Sequence, residues 1–421
     1  MKQSITNKVK LSHYFYSFML IMFCYNSTFS QAITKQYEKE LSVTSDSKIF
    51  IEGPGNLPFQ SEGKLKVNTV NGYALEPRDN NGIAAFVANK LDIKTSKNTF
   101  VKQIITVKVI PHEKYSEEAK ALLEGLKINI HKDANQYQID NNLNIERLSF
   151  KNGFFKGTQN LIVLDDGSSY NVRGIEISTT IIVPDNVTLS VASKYIDVAI
   201  EDFKGELNIN ADKSTIMLSD VGELYGRFNS CKVDFKTIDN ANIIAYNTTI
   251  NGDNVNLLDI NTEEFILKES LFNRTKKASL STYVIKTVGV LNILQTSNDE
   301  FKIDQVGTID VKSSHFSNYQ IKRLKNELSL NAKNGDISID TISKEVTKLD
   351  INNRVSTINL GVQELDNYLI RFPVLEYTEK TIPSTAKDVS SEGEVAFQKG
   401  NGKTNGIISI SCKNCKVNIK D

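Results

Sequence analysis

From about Leu189 to Leu360, apolar residues recur two apart, and the pairs restart at a steady interval. The phrase is Leu-x-Val or Leu-x-Ile, then a polar turn, then a second alternating segment. It reads LSVASKYIDVAIEDFKGE, LNINADKSTIMLSDVGE and LYGRFNSCKVDFKTIDN. It returns as LNILQTSNDEFKIDQVGT, IDVKSSHFSNYQIKRLKNE, LSLNAKNGDISIDTISKEVTK and LDINNRVSTINLGVQ. The anchors are Leu189, Leu207, Leu224, Leu291, Ile309, Leu328 and Leu349, with clear spacings of 18, 17, 18, 19 and 21 residues. Residues two apart point to one side of a strand. Each unit therefore offers two short apolar rows, which it can bury only by stacking on its neighbours. The pattern predicts an all-β fold, a β-solenoid (single-stranded β-helix) of about 17–21 residues per coil. An antiparallel β-sandwich also spaces strands at short intervals, but it does not restart one phrase so regularly.

The second apolar pairs are Ile216 and Leu218, Val233 and Phe235, Phe301 and Ile303, Ile337 and Ile339, and Ile358 and Leu360. Asp202, Asp220, Asp304 and Asp340 follow second segments, and Asn, Asp, Gly and Ser gather between strands, where turns favour them. In the less regular middle, Ile243 and Leu257 are the expected anchors, with Phe265 and Leu267 as a second strand. The stretch ESLFNRTKKASLSTYVIKTVG predicts an irregular coil or a protruding loop.

Residues 31–186 read as a β-rich N-terminal region, and 187–421 as the solenoid with a C-terminal strand pair. One helix interrupts the first region. In SEEAKALLEGL, residues 116–126, Ser116 can cap the first turn and Glu117 and Glu118 suit the positive helix N-terminus. Ala119, Leu122, Leu123 and Leu126 make one apolar stripe, the mark of a short helix packed on a sheet. GPGNLPFQSEG and EPRDNNG read as loops.

Residues 1–30 have the form of a secretory signal peptide. Lys2, Lys8 and Lys10 make a basic start, YFYSFMLIMFC is an apolar core too short to span a bilayer, and Thr28-Phe29-Ser30 offers a cleavage site. Phe23 before Cys24 argues against a lipid anchor. No later run is long and apolar enough for a transmembrane helix. The expected location is outside the cytoplasm: periplasm, cell surface or beyond.

The 50 basic and 50 acidic residues balance, which offers no general attraction to nucleic acid. The chain has no Trp, a mild argument against a dedicated sugar site. Among possible metal or thiol chemistry, Cys412 and Cys415 form CKNC. A zinc site would need two more ligands, and His112, His131 and His315 lie far away in sequence. If Lys413-Asn414 turn, a small disulfide between Cys412 and Cys415 is open to them in an oxidising compartment. If the segment lies flat, the thiols point apart. Cys231 reads as an unpaired core residue. Asp165-Asp166 and Asp202 could be carboxylate pairs or calcium ligands, but surface turns supply such residues routinely. KRLK around Arg323 reads as a solvated edge. Phosphate loop, nucleophile elbow, HExxH and calcium repeat motifs do not occur. No catalytic residue, metal site or cofactor is expected.

Four segments carry a resemblance: KELSVTSDSKIFIEGPGN, IITVKVIPHEKYSEEAKALLEGLKINI, SVASKYIDVAIEDFKGELNINADKSTIMLSDV and GNGKTNGIISISCKNCKVNIKD. Together they resemble the adhesin-like families of secreted bacterial β-solenoid proteins, catalogued as domains of unknown function. The resemblance implies a right-handed β-helix and no established catalytic residues. Family members often carry Tyr-Gly at strand corners. Here Tyr195-Ile196 keeps only the Tyr, CKNC stands at the last corner, and Gly53 to Lys90 is longer than the family pattern. The expected function is a non-enzymatic binding or adhesin-like module of the envelope or cell surface, with an unidentified protein or glycan partner. The alternatives are a carbohydrate-active β-helix enzyme (polysaccharide lyase or hydrolase) and an envelope scaffold or stress-signalling partner.

The leader generates the first testable outcome. Protein recovered from its native host should begin near Gln31 when its N-terminus is sequenced. A soluble pool that retains Met1 would contradict export.

Overall fold

The computed structural model describes residues 32–52, 59–62, 86–111, 116–140, 143–153, 157–172, 174–194, 196–262, 266–269, 274–277, 279–400 and 407–421. The expected leader at 1–30, His112, Tyr195 and Phe265 lie outside these residues. Among them the chain is nearly all β, with one helix and one large, mostly parallel sheet.

The sheet is built by in-register parallel pairing of each unit with the next. Leu189 pairs with Leu207, Leu207 with Leu224, Leu224 with Ala241, and Ala241 with Leu258. The row continues through Leu291, Ile309, Leu328, Leu349 and Ile408. A second row runs Val198, Ile216, Val233, Ile250, Tyr283, Phe301, Tyr319, Ile337, Ile358 and Val417. All of these side chains are buried in one continuous core. Most outward positions of the same strands are polar, with Met217, Tyr225, Val284 and Leu294 among the exposed apolar exceptions.

Two expectations for the middle need correction. The anchors there are Ala241 and Leu258. Ile243 is buried, but it lies in the row of Ile209 and Gly226, whereas Leu257 pairs with Val290 and is only half-buried. A one-residue slip moves a side chain to the other face, and Leu258 wins the inward place. The second segment is Ile250, pairing directly with Tyr283, so the chain between them carries an insertion: ESLFNRTKKASLSTYVIKTVG holds Arg274–Lys277 of a hairpin and then the start of the regular strand Thr282–Ser297. Leu267 instead belongs to a small antiparallel hairpin, Ile266–Glu269 with Arg274–Lys277.

Each unit bends sharply between its two rows, at a residue in the left-handed region. Lys213, Ser230, Asn247, Leu280, Asn298, Phe316, Asn334, Val355 and Asn414 have φ between 46° and 59°. They stack. The Phe316 N–H donates to the Lys333 carbonyl, Asn334 to Arg354, and Val355 to Lys413, at 2.8–2.9 Å. Asn takes this conformation readily, but Leu, Phe and Val do so at a cost of about 1–2 kcal/mol each.

In the middle units the next residue points inward and its side chain satisfies its neighbour's backbone. The Cys231 N–H donates to Thr248 Oγ1 (3.2 Å), Thr248 to Ser281 Oγ (3.3 Å), Ser281 to Asp299 Oδ1 (2.7 Å), and Asp299 to Ser317 Oγ (3.1 Å). Buried donors need such partners. Beside this column, Tyr283, Phe301 and Tyr319 stack with ring centroids 4.8 and 4.9 Å apart, at the rung spacing. Asp299 also accepts from Thr296 Oγ1. Burial pushes its carboxyl up from 3.8 to about 6.

The first region joins the same sheet. Lys48–Glu52 pairs with residues 188–192, and residues 90–93 pair with Asp197–Ile200. The helix α1, Ser116–Gly125, buries Ala119, Leu122 and Leu123 in a second core cluster with Ile105, Val107 and Ile175. At the other end the order of the chain breaks. Ile407–Lys413 and Lys416–Lys420 pair with Lys348–Arg354 and Thr357–Gly361 on one side. On the other side they pair with segments of 369–381. The last strands thus lie between two units that precede them. Cys412 and Cys415 are joined by a disulfide across the Asn414 corner, Cα–Cα 6.0 Å, inside the usual range.

Two outcomes follow from this packing. Leu207→Asp or Ile337→Asp places an unpaired charge in the core and should cost roughly 3–5 kcal/mol. Lys213→Asp and Lys333→Asp, at exposed positions, should change little. Thermal melts of the four variants check this, and equal losses would refute the inward assignment. Asp299 sets a pH dependence. Its folded-state pKa is raised, so its contribution is full below about pH 4 and is lost as pH rises through about 6. Wild type should lose about 2–3 kcal/mol relative to Asp299→Asn between pH 4 and 7. Parallel melting profiles for the two proteins would exclude it.

Candidate functional site

The outward face of the first row carries a groove. Five consecutive strands form it, at residues 48–52, 188–192, 207–210, 224–228 and 241–245. Pairing register fixes which side chains line up. One outward row runs Phe50, Ser190, Asn208, Tyr225 and Asn242, and the next runs Ala192, Asn210, Arg227 and Ile244. Small side chains at Ser190 and Ala192 leave a trough between the two aromatic rings. Phe50 and Tyr225 stand three rungs apart, about 14 Å at the normal strand spacing. The groove holds about 430 Å³.

Its walls are exposed rings, and between them apolar surface is dotted with the side chains of Ser190, Asn208, Asn210 and Asn242. Phe50 and Tyr225 are both exposed although large and apolar. Asn208 donates to Glu206 at 2.8 Å, while the side chains of Asn210 and Asn242 make no hydrogen bond to described residues. Gly226 shapes the floor from beneath. A Cβ there would lie 2.3 Å from the buried Phe228 ring, which fills the inward space on this strand. The arrangement can stack flat apolar faces against the two rings and hydrogen-bond hydroxyls or amides between them.

The sequence candidates lie elsewhere and are not brought together. Asp165 and Asp166 sit in one tight turn, where the Ser168 N–H donates to Asp166 Oδ1 at 2.9 Å. Asp165 receives the Asn144 amide at 3.2 Å. Asp202 faces the Asp220 N–H at 3.5 Å. In KRLK, Lys322 pairs with Asp304 at 2.7 Å and Arg323 grips Glu364 through two bonds of 2.8 and 2.6 Å. Cys231 is buried and unpaired, and burial pushes its thiol pKa up. Among the described residues no group of three or more His, Cys, Asp or Glu side chains could hold a metal, and no helix is long and apolar enough to cross a membrane.

Sequence reasoning missed the groove. Phe50 lies in the strand-like run KIFIE and Tyr225 follows an anchor, so both read as outward. Their proximity depends on residues 48–52 pairing with 188–192, across a gap no local pattern spans.

No family model matches this chain, and no curated protein matches it. A solved structure described as a "putative cell adhesion protein" from Clostridium sporogenes is similar to it, at 10% identity over 92% of this chain and 99% of that chain. The TM-score is 0.13, and the likeness carries no argument.

Proposed function

We propose that this chain is an exported, non-enzymatic right-handed β-solenoid of the bacterial envelope or cell surface, acting as an adhesin-like module that binds glycan chains. The groove between Phe50 and Tyr225 carries this reading. Two aromatic faces with amides and a hydroxyl between them suit a polymer whose rings are apolar on their faces and polar at their edges. The open ends of the trough suit an extended ligand. The solenoid reading draws on the in-register pairing at intervals of 17–21 residues, and its hand on the strong preference of parallel crossovers for right-handed connections. The leader motif supports export. The Cys412–Cys415 disulfide fits an oxidising compartment.

Purified protein should bind a subset of a bacterial glycan array without releasing sugar products. Tyr225→Ala and Phe50→Ala should each weaken that binding about tenfold, which is about 1.4 kcal/mol. Both positions are exposed, so melting temperatures should stay close to wild type. Calorimetric titration with the best array ligand measures the first effect. Unchanged affinity in both variants removes the groove from the function, and steady release of oligosaccharides would make the protein an enzyme.

A further inference from the structure

A second surface lies along the stacked left-handed corners. Leu280, Phe316, Val355 and Tyr377, all with positive φ, are 50%, 55%, 48% and 87% exposed. They occupy alternate rungs, with Asn298, Asn334 and Asn414 between them. Neighbouring apolar tips are thus two rungs apart, about 10 Å. Each of these side chains is disfavoured twice, by its backbone conformation and by its exposure to water. Asn serves the same corner at the intervening rungs without either penalty. No described residue covers these tips, which points to a contact outside the described part of the chain.

The residues one position earlier include three cations. Lys333, Arg354 and Lys413 stack on successive rungs after His315, as the hydrogen bonds from Phe316, Asn334 and Val355 show. Lys413 is paired with Glu376 at 2.5 Å. Lys333 and Arg354 are exposed and have no ion-pair partner among the described residues. Of the carboxylates on the far side of the ridge, Glu300 pairs with Lys302 at 2.9 Å. Asp336 accepts the Thr357 N–H at 2.7 Å and keeps its charge, and Glu379 stands in strand register with Lys416. The edge therefore combines a line of apolar tips with two cations, Lys333 and Arg354, that have no ion-pair partner among the described residues.

We propose that this edge docks on an anionic lipid bilayer, independently of what the groove binds. Phe316, Val355 and Tyr377 enter the headgroup region, and Lys333 and Arg354 meet lipid phosphates. Apolar tips beside basic residues are the chemistry of reversible interfacial binding. The surface is a convex ridge rather than a cleft. A fluid bilayer accepts a ridge without shape complementarity, whereas a rigid partner needs a matching channel.

The test is vesicle flotation with the full chain, using phosphatidylcholine alone and equal parts phosphatidylcholine and phosphatidylglycerol. The key variant is Phe316→Asn with Val355→Asn and Tyr377→Asn. Asn suits the left-handed corner, so its melting temperature should equal or exceed that of wild type. Any binding by the apolar leader is common to all variants and cancels in the comparison. Wild type should float with the phosphatidylglycerol vesicles, and the triple variant should bind about tenfold more weakly or worse. Lys333→Gln with Arg354→Gln should remove the preference for anionic vesicles, as should high salt. Equal binding by wild type and the triple variant overturns the proposal, as does failure of wild type to float. A dimer seen in sedimentation, dissolved by the triple variant and indifferent to vesicles, would assign the ridge to contact between copies and end the lipid reading.

Discussion

Everything in this molecule depends on one constraint: parallel pairing in register puts equivalent residues of successive units directly above one another. Strands held at the hydrogen-bonding distance leave no freedom to offset them. Apolar residues then stack on apolar residues, as in the two buried rows, and aromatic rings stack face to face, as Tyr283, Phe301 and Tyr319 do. The same constraint works on charges. Lys286 stands over Asp253, and Lys322 over Asp304, at 2.6 and 2.7 Å. These exposed pairs contribute little stability each, but like charges at the same positions would oppose the register.

The constraint also dictates what the corners hold. A backbone that bends at the same place in every unit leaves the same N–H without a strand partner. Thr248, Ser281, Asp299 and Ser317 supply the acceptors. At these four units a hydroxyl or carboxyl fills the role in a buried place. Asp299 does this at the expense of a carboxyl held in a dry place, which is why burial raises its pKa.

Much of the fold was legible because the anchors are large. Leu189, Leu207, Leu224, Leu291, Ile309, Leu328 and Leu349 are all buried in the row expected of them. Reading failed where a small residue took an anchor place. Ala241 gives no strong signal, and adjacent Leu257 and Leu258 compete for one inward position that only the pairing partner decides. The corners were half legible. Asn247, Asn298, Asn334 and Asn414 are ordinary turn residues, whereas Leu280, Phe316 and Val355 look like strand residues until their φ is known. The groove was not legible, because alternation shows that Phe50 and Tyr225 point outward but not that distant segments set them on one face.

The position of the last strands has a consequence for how the chain can be completed. Residues 407–420 are laid between units that were synthesised before them. Until they arrive, Lys348–Arg354 and Thr357–Gly361 present open, unpaired strand edges, the kind of template on which foreign strands add. A chain delivered in order from its N-terminus therefore cannot seal this end early. Closure waits for residues 407–420, and the Cys412–Cys415 bond lies within them. A molecule cut between Gly361 and Ile407 would lose more than its tail. It would be a stack with an exposed growing end, and so a substrate for proteases or a seed for aggregation.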